Sequence, residues 1–431
     1  MRQHDNVGAA WKTALVAVVG WACTLPAGGQ GLNTPEVIGQ PNINLRWGQA
    51  YATYGLGAQA RLTYTDNVDL EEDNPKSDFL LDIGPTLSGE MGWGGGVGPE
   101  LRLPGGEEFR IRLNLKYSLR YSFRDGVVQA YGAPISAEAL IPIYIRYLGW
   151  TVALSDTFDH TRRTLDTTFG FGQQDISVYN NTATLSAYRS FGRTTLTTGA
   201  SRRDQIVIDA AFADQEFTYY SFFFTPSYAL NEAMSVFWSN SYNITDIGAA
   251  TSRDSKGWSS SVGISGLITR NISGSVSIGY SRNTLEAGVA NGIPVGEETF
   301  EGINSGINLN YANPLRPYTT HSVAFFHSLN VPTGLVGSSI TEAYGASYTI
   351  SHLLNRWVTL SPRVSWTRQS SLGTSTLSET VDIIHLGIGL DRRFTGHLSG
   401  GVSYTYQVRD SNIDDQSYDV NQVTGYLQYN F

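Results

Sequence analysis

From residue 50 to the last residue, apolar and polar positions alternate in segments separated by turn-forming residues. The final segment shows it best. Val423, Gly425, Leu427, Tyr429 and Phe431 fall on one side, and Gln422, Thr424, Tyr426, Gln428 and Asn430 on the other. Side chains alternate across a strand, so such a segment presents one apolar face and one aqueous face. Residues 398–408, 384–391 and 272–281 repeat the pattern, and the polar side of 272–281 is nearly all serine. Small hydroxyl faces of this kind suit a wet lumen better than a packed sandwich core. In 109–121, Ile111, Leu113, Leu115, Tyr117, Leu119 and Tyr121 oppose Arg110, Arg112, Asn114, Lys116, Ser118 and Arg120. A cation pointing into lipid costs about 2–4 kcal/mol near the bilayer midplane. The cationic row, and Arg363 by the same logic in 358–366, are therefore expected to line a lumen.

The pattern predicts strands over 50–65, 78–91, 109–122, 138–147, 149–160, 177–189, 192–204, 217–229, 232–244, 257–269, 272–284, 300–312, 315–327, 338–351, 354–368, 378–391, 394–408 and 418–431. Short turns and longer polar loops alternate between them, with the Gly-rich 92–108 as the exception on the short-turn side. Short periplasmic turns, long outward loops and an even strand count are the layout of a bacterial outer-membrane barrel. The expected fold is all-β: a closed antiparallel transmembrane β-barrel of about eighteen strands, with sixteen as the alternative count. Closure would satisfy every strand edge in lipid, and would put residue 50 and Phe431 on the periplasmic side. No stretch approaches the length of apolar chain that a membrane-spanning helix needs.

The first residues read differently. Arg2 and Lys12 precede a short apolar run at 14–22, and Pro26, Ala27 and Gly28 follow it. This is the three-part layout of a secretory signal. Residues 1–27 are expected to be the signal peptide, 28–49 a periplasmic leader and 50–431 the barrel. Cleavage after Ala22 or after Ala27 fits the residues. The single cysteine, Cys23, lies within this segment, so a mature chain cut beyond it holds no disulfide.

Composition narrows the partners. Charged residues make up 16% of the chain and the net charge is −9, against roughly 25% charged residues in soluble domains. A general nucleic-acid binder needs a basic surface, so no nucleic acid is expected. The sequence has no HExxH helix, phosphate-binding loop or GxSxG elbow. Its histidines are scattered, and no catalytic set is privileged by spacing. Glu71, Glu72 and Asp73 make an acidic first loop, read as solvated rather than as a cation site. No cofactor, metal or enzymatic activity is expected. Tyr117, Tyr121, Tyr280, Tyr404, Tyr406 and Tyr429 lie toward strand ends and are candidates for the aromatic belts at the membrane interfaces. Leu427, Tyr429 and Phe431 form the terminal aromatic pattern.

Several pieces together carry a resemblance. They are 64–68 (YTDNV), 84–88 (GPTLS), 401–406 (GVSYTY) and the closing Tyr429, Asn430 and Phe431. The chain resembles the outer-membrane β-barrel porin family associated with exopolysaccharide loci, over roughly residues 50–431. The resemblance implies a bacterial outer-membrane location and a role in the passage or export of polysaccharide or other solutes. It also implies that the last strand is read by the barrel-assembly machinery. Outer-membrane lipid, lipopolysaccharide and polysaccharide export components are the other expected partners. The leading functional expectation is a porin-like channel for polysaccharide or anionic solutes. Its alternatives are a non-conducting surface or assembly barrel acting through its outward loops, and an outer-membrane enzyme.

Overall fold

The computed structural model describes residues 43–47, 50–68, 75–93, 109–116, 118–131, 135–145, 149–165, 174–207, 216–247, 253–290, 293–313, 318–330, 340–372, 379–413 and 416–431. The expected signal, Cys23, the acidic 71–73, Tyr117 and most of 92–108 lie outside them.

The strands are β1 (Ile43–Trp47), β2 (Ala50–Thr65), β3 (Asp78–Trp93), β4 (Phe109–Lys116), β5 (Ser118–Ser122), β6 (Val127–Tyr131), β7 (Ile135–Ile145), β8 (Trp150–Leu165), β9 (Gln174–Phe191), β10 (Thr194–Val207), β11 (Phe217–Ala229) and β12 (Met234–Ile247). They continue as β13 (Ser255–Thr269), β14 (Ile272–Leu285), β15 (Gly288–Ala290), β16 (Ile293–Val295), β17 (Glu298–Ala312), β18 (Thr319–Asn330), β19 (Ile340–Asn355), β20 (Val358–Leu372), β21 (Thr380–Arg393), β22 (Leu398–Ser411) and β23 (Tyr418–Asn430). All but β15 and β16 belong to one antiparallel sheet. Because β4 and β5 both run along β3, and β6 and β7 run along β5 and β4, these segments make two wall strands, and the sheet counts eighteen. β1, inside the expected leader, pairs with the start of β2. Farther along, β2 pairs with β23, from Gly57↔Asn430 to Thr65↔Gln422.

Two expected loops give way to strand. The loop placed over 123–137 is in fact a turn at Phe123–Gly126 followed by β6 and the first part of β7. Gly126 takes a left-handed φ of 65° there, a conformation that a glycine accepts without a Cβ clash. Its polar neighbours Arg124 and Asp125 made the turn look like the start of a long loop. The expected loop 161–176 likewise yields to β8, which runs through Arg162 and Arg163 to Leu165.

Burial sorts the faces as alternation requires. Leu56, Ile278, Ile303 and Val402 point outward and are 56%, 58%, 57% and 56% exposed. Residues on the other face include the buried Thr63, Thr65, Asp82, Thr184, Ser235, Ser265, Ser275, Ser281 and Thr405. An apolar exterior around a polar interior inverts the soluble arrangement, and it is stable where the exterior meets lipid. At one end of the sheet, arginines stack on outward aromatics beside short turns: Arg189 on Phe191 at 4.3 Å, Arg356 on Trp357 at 4.8 Å and Arg392 on Phe394 at 5.1 Å. Toward the other end, outward aromatics donate to polar acceptors nearer the long loops. Tyr344 reaches Glu342 at 2.7 Å, Trp366 reaches Asp382 at 3.1 Å, Tyr404 reaches Asn421 at 2.6 Å and Tyr280 reaches Glu301. An amphipathic ring with its apolar body below and its polar tip above is what a membrane interface selects.

Candidate functional site

The inward wall is the candidate site, and its charges come in cross-strand rows. One ladder row reads Asp391, Gly401, Tyr426, Arg61, Asp82, Arg120 from β21 to β5, crossing from β23 to β2 on the way. Along it, the Tyr426 hydroxyl donates to Asp391 at 2.6 Å. Arg120 forks onto both oxygens of Asp82, with Nε to Oδ1 at 2.7 Å and Nη2 to Oδ2 at 3.2 Å. A second row places Arg112 between Glu90 of β3 and Glu138 of β7. Lys116 stands opposite Thr86, and Arg110 opposite Gly92 and Leu140. The four expected cations are therefore on one wall, with carboxylates in register beside two of them. Arg363 lies apart on β20, inward and laid over Gly387, whose missing Cβ leaves room for the arginine stem.

The rest of the wall carries hydroxyls and amides, and Phe223, Phe237 and Phe326 are among its rings. Neighbouring strands meet through Thr63–Thr424 at 3.2 Å, Ser235–Ser265 at 3.2 Å and Ser241–Ser259 at 2.7 Å. Phe223, Phe237 and Phe326 each sit directly across the ladder from an inward glycine, at Gly199, Gly263 and Gly345. A Cβ on any of these glycines would strike the facing ring, so each ring lies against the wall over bare backbone. These rings escaped the sequence reading. An inward Phe looks like a fault in the alternation until its glycine partner on the next strand is known.

The wall ends in an apolar cluster on the long-loop side. Leu285, Leu329 and Ile340 are 1%, 7% and 0% exposed and pack with Phe300 and Leu372. The β17–β18 ladder stops at Ser305↔His327, whereas β18 stays paired with β19 as far as Asn330↔Thr341. That hairpin end leans inward, with Leu329 against Gly302 and its carbonyl held by Asn283 Nδ2 at 3.0 Å. Two buried ion pairs stand at the same end. Arg253 binds Glu298 at 2.7 Å and the carbonyls of Leu285, Glu286 and Gly296. Arg409 binds Glu379 at 2.7 Å and the Gln416 carbonyl.

The expected interface residues fall on the outward surface. Tyr280, Tyr404 and Tyr429 are exposed, Tyr406 shares its face with Tyr404, and Tyr121 stacks edge-on with Phe123 at 4.8 Å. Leu427, Tyr429 and Phe431 form an exposed apolar strip at the chain end, with the last two rings 5.1 Å apart. No group of metal-ligating side chains occurs among the described residues.

An eighteen-stranded antiparallel sheet with a lipid-suited exterior and a polar interior defines the class, an outer-membrane β-barrel of porin type. The chain belongs to the family described as Putative beta-barrel porin 2, whose model matches residues 158–430. Its location is accordingly the bacterial outer membrane, in a family of channels rather than enzymes. No curated protein matches the chain. Among solved structures, it is similar to OccK9 (OpdG) of Pseudomonas aeruginosa, at 10% identity and a TM-score of 0.47 over 88% of this chain and 98% of that one. It is also similar to OpdO of the same organism, at 10% identity and 0.46 over 88% and 97%, and to a BenF-like porin of Pseudomonas fluorescens, at 8% and 0.43 over 88% and 99%. Family membership rests on the family match and not on these likenesses.

Proposed function

We propose that the chain closes into an eighteen-stranded barrel and acts as an outer-membrane channel for polar solutes, with saccharide chains as the principal cargo. Pairing of β23 with β2 supports closure, since it leaves each of the eighteen wall strands with a neighbour on both sides. The observation that carries the cargo is the wall itself. Hydroxyls and amides that exchange hydrogen bonds with a sugar share the wall with Phe rings set against glycines, surfaces that suit the apolar face of a pyranose. Anionic solutes are a weaker choice than the cation spacing alone suggested. The Asp82–Arg120 fork and the Glu90–Arg112–Glu138 row put negative charge beside the cations, and a balanced wall concentrates neither sign.

The test is single-channel conductance of the refolded mature protein in planar bilayers, with a neutral oligosaccharide added on one side. Expected are stable conductance, brief sugar-dependent blockades, and shorter blockades in the Phe223→Ala/Phe237→Ala variant. Folded, inserted protein without conductance would overturn the channel reading. It would favour a non-conducting surface barrel, for which the inward apolar cluster of Leu285, Leu329 and Ile340 is the supporting feature. Conductance with unaltered blockades in the variant would remove the saccharide track while leaving the channel.

A further inference from the structure

Outward cations are partnered differently at the two ends of the wall. Toward the long loops, Arg202 pairs with Asp204, Lys256 with Glu286, Arg282 with Glu301 and Arg368 with Asp382. Beside the short turns, Arg189, Arg356 and Arg392 lie over the rings of Phe191, Trp357 and Phe394 instead. Among the described residues, no carboxylate forms an ion pair with any of these three. Asp391, next in sequence to Arg392, points inward to the Tyr426 hydroxyl.

Two of the three stacks form one site. Val358 of β20 is paired with Arg392 of β21, and the Arg393 backbone N–H donates to the Trp357 carbonyl at 2.9 Å. Arg356, Trp357, Arg392 and Phe394 are all exposed, so two guanidiniums and two rings share one corner of the sheet. A Cβ on Gly400 of β22 would touch both Phe394 and Leu427, so the Phe394 ring is packed against the wall. A ring attracts the cation to its face and leaves the N–H edge of the guanidinium for an acceptor, and that planar fork matches phosphate oxygens. Going up β21 from Arg392, the outward positions are Leu390, Ile388, Leu386 and Ile384, all exposed. On a tilted strand this row climbs about 15 Å, the depth of one leaflet of a hydrocarbon core about 30 Å thick.

We propose that Arg356 and Arg392 hold the phosphate of an anionic glycerophospholipid of the periplasmic leaflet, with an acyl chain along the row from Leu390 to Ile384. Short turns lie on the periplasmic side of an outer-membrane barrel, which places the site at that leaflet. Two cations with no acid paired to them attract a headgroup of net negative charge, whereas a headgroup amine would meet them with like charge. A soluble phosphate would gain nothing from the apolar row above. The assignment does not depend on whether the lumen conducts.

The experiment is native mass spectrometry of the folded full-length protein in detergent, with equimolar phosphatidylglycerol and phosphatidylethanolamine of identical acyl chains. One phosphatidylglycerol is expected to be retained with a preference of about tenfold. Arg356→Gln with Arg392→Gln should remove the preference, and Arg282→Gln, at the opposite end of the wall, should leave it intact. Glycerol 3-phosphate, which carries the phosphate without acyl chains, should not displace the lipid. Equal retention of the two lipids by the unaltered protein would overturn the proposal. So would an undiminished preference in the double variant, shown to be folded by its heat-modifiable mobility, or displacement by an equal concentration of glycerol 3-phosphate. If the double variant does not fold, Arg356→Gln alone, in its exposed turn, decides: the preference should fall about threefold, and no fall would sink the site.

Discussion

Asp82 and Arg120 show how a lumen keeps its charges. Asp82 is buried and Arg120 partly so, and each satisfies the other through a two-point fork whose geometry a lysine cannot reproduce. Arg120→Gln leaves the carboxylate without its counter-charge. If the lumen conducts, its reversal potential in a salt gradient should move toward cation preference, and Asp82→Asn should move it the opposite way. The deeper pair behaves differently. Arg409 and Glu379 are 2% and 3% exposed, so removing one strands the other in a dry site, at a cost of about 3–5 kcal/mol. Glu379→Leu should therefore lower the thermal unfolding temperature in detergent markedly, and Glu379→Leu with Arg409→Met should recover most of the loss. The inward direction of Arg120 was legible from its place in the alternation. Its neutralisation was not, because Asp82 lies 38 positions away, and the register that joins them depends on loop geometry rather than on periodicity.

At the scale of the strand, the inward glycines set how closely a ring can approach the wall. Gly345 faces Phe326 across the β18–β19 ladder, and a methyl group there would occupy the space of the ring. Gly345→Ala should destabilise by about 1–3 kcal/mol, as overpacking does, and Gly345→Ala with Phe326→Ala should cost less than the sum of the two changes. Gly389, also inward, has open space at its Cβ position, and Gly389→Ala should be nearly silent in the same unfolding assay. Strand existence was readable almost throughout, because the alternation of 384–391 or 422–431 admits one period only. The miss at β6 and β7 has a local cause. Val127 and Val128 put two apolar residues in succession, and Gly132, Ala133 and Pro134 follow soon after, so neither the period nor the turn signals marked a strand.

At the scale of the whole molecule, the chain ends on the strand that meets β2. Phe431 is 62% exposed, and its backbone N–H bonds the Leu56 carbonyl of β2. The aromatic strip of Leu427, Tyr429 and Phe431 is thus presented outward at the seam, which suits our proposal that the assembly machinery reads it. Tyr429→Ala with Phe431→Ala should lower the amount of protein recovered in outer-membrane fractions severalfold, with unfolded precursor accumulating in the periplasm. Val423→Ala, at a higher point of the same face, should not.

The early end of the β17–β18 ladder has a mechanical meaning. Along a continuous sheet, separation begins where the fewest rungs hold. From Thr299 to Asn304, β17 is bonded to β14 but has no ladder partner on β18. Under a pulling force or a rise in temperature, the wall should unzip from that point downward toward Ala312↔Thr320, and Ser305 and Ile307 should exchange their amide protons ahead of equivalent positions along β20 and β21.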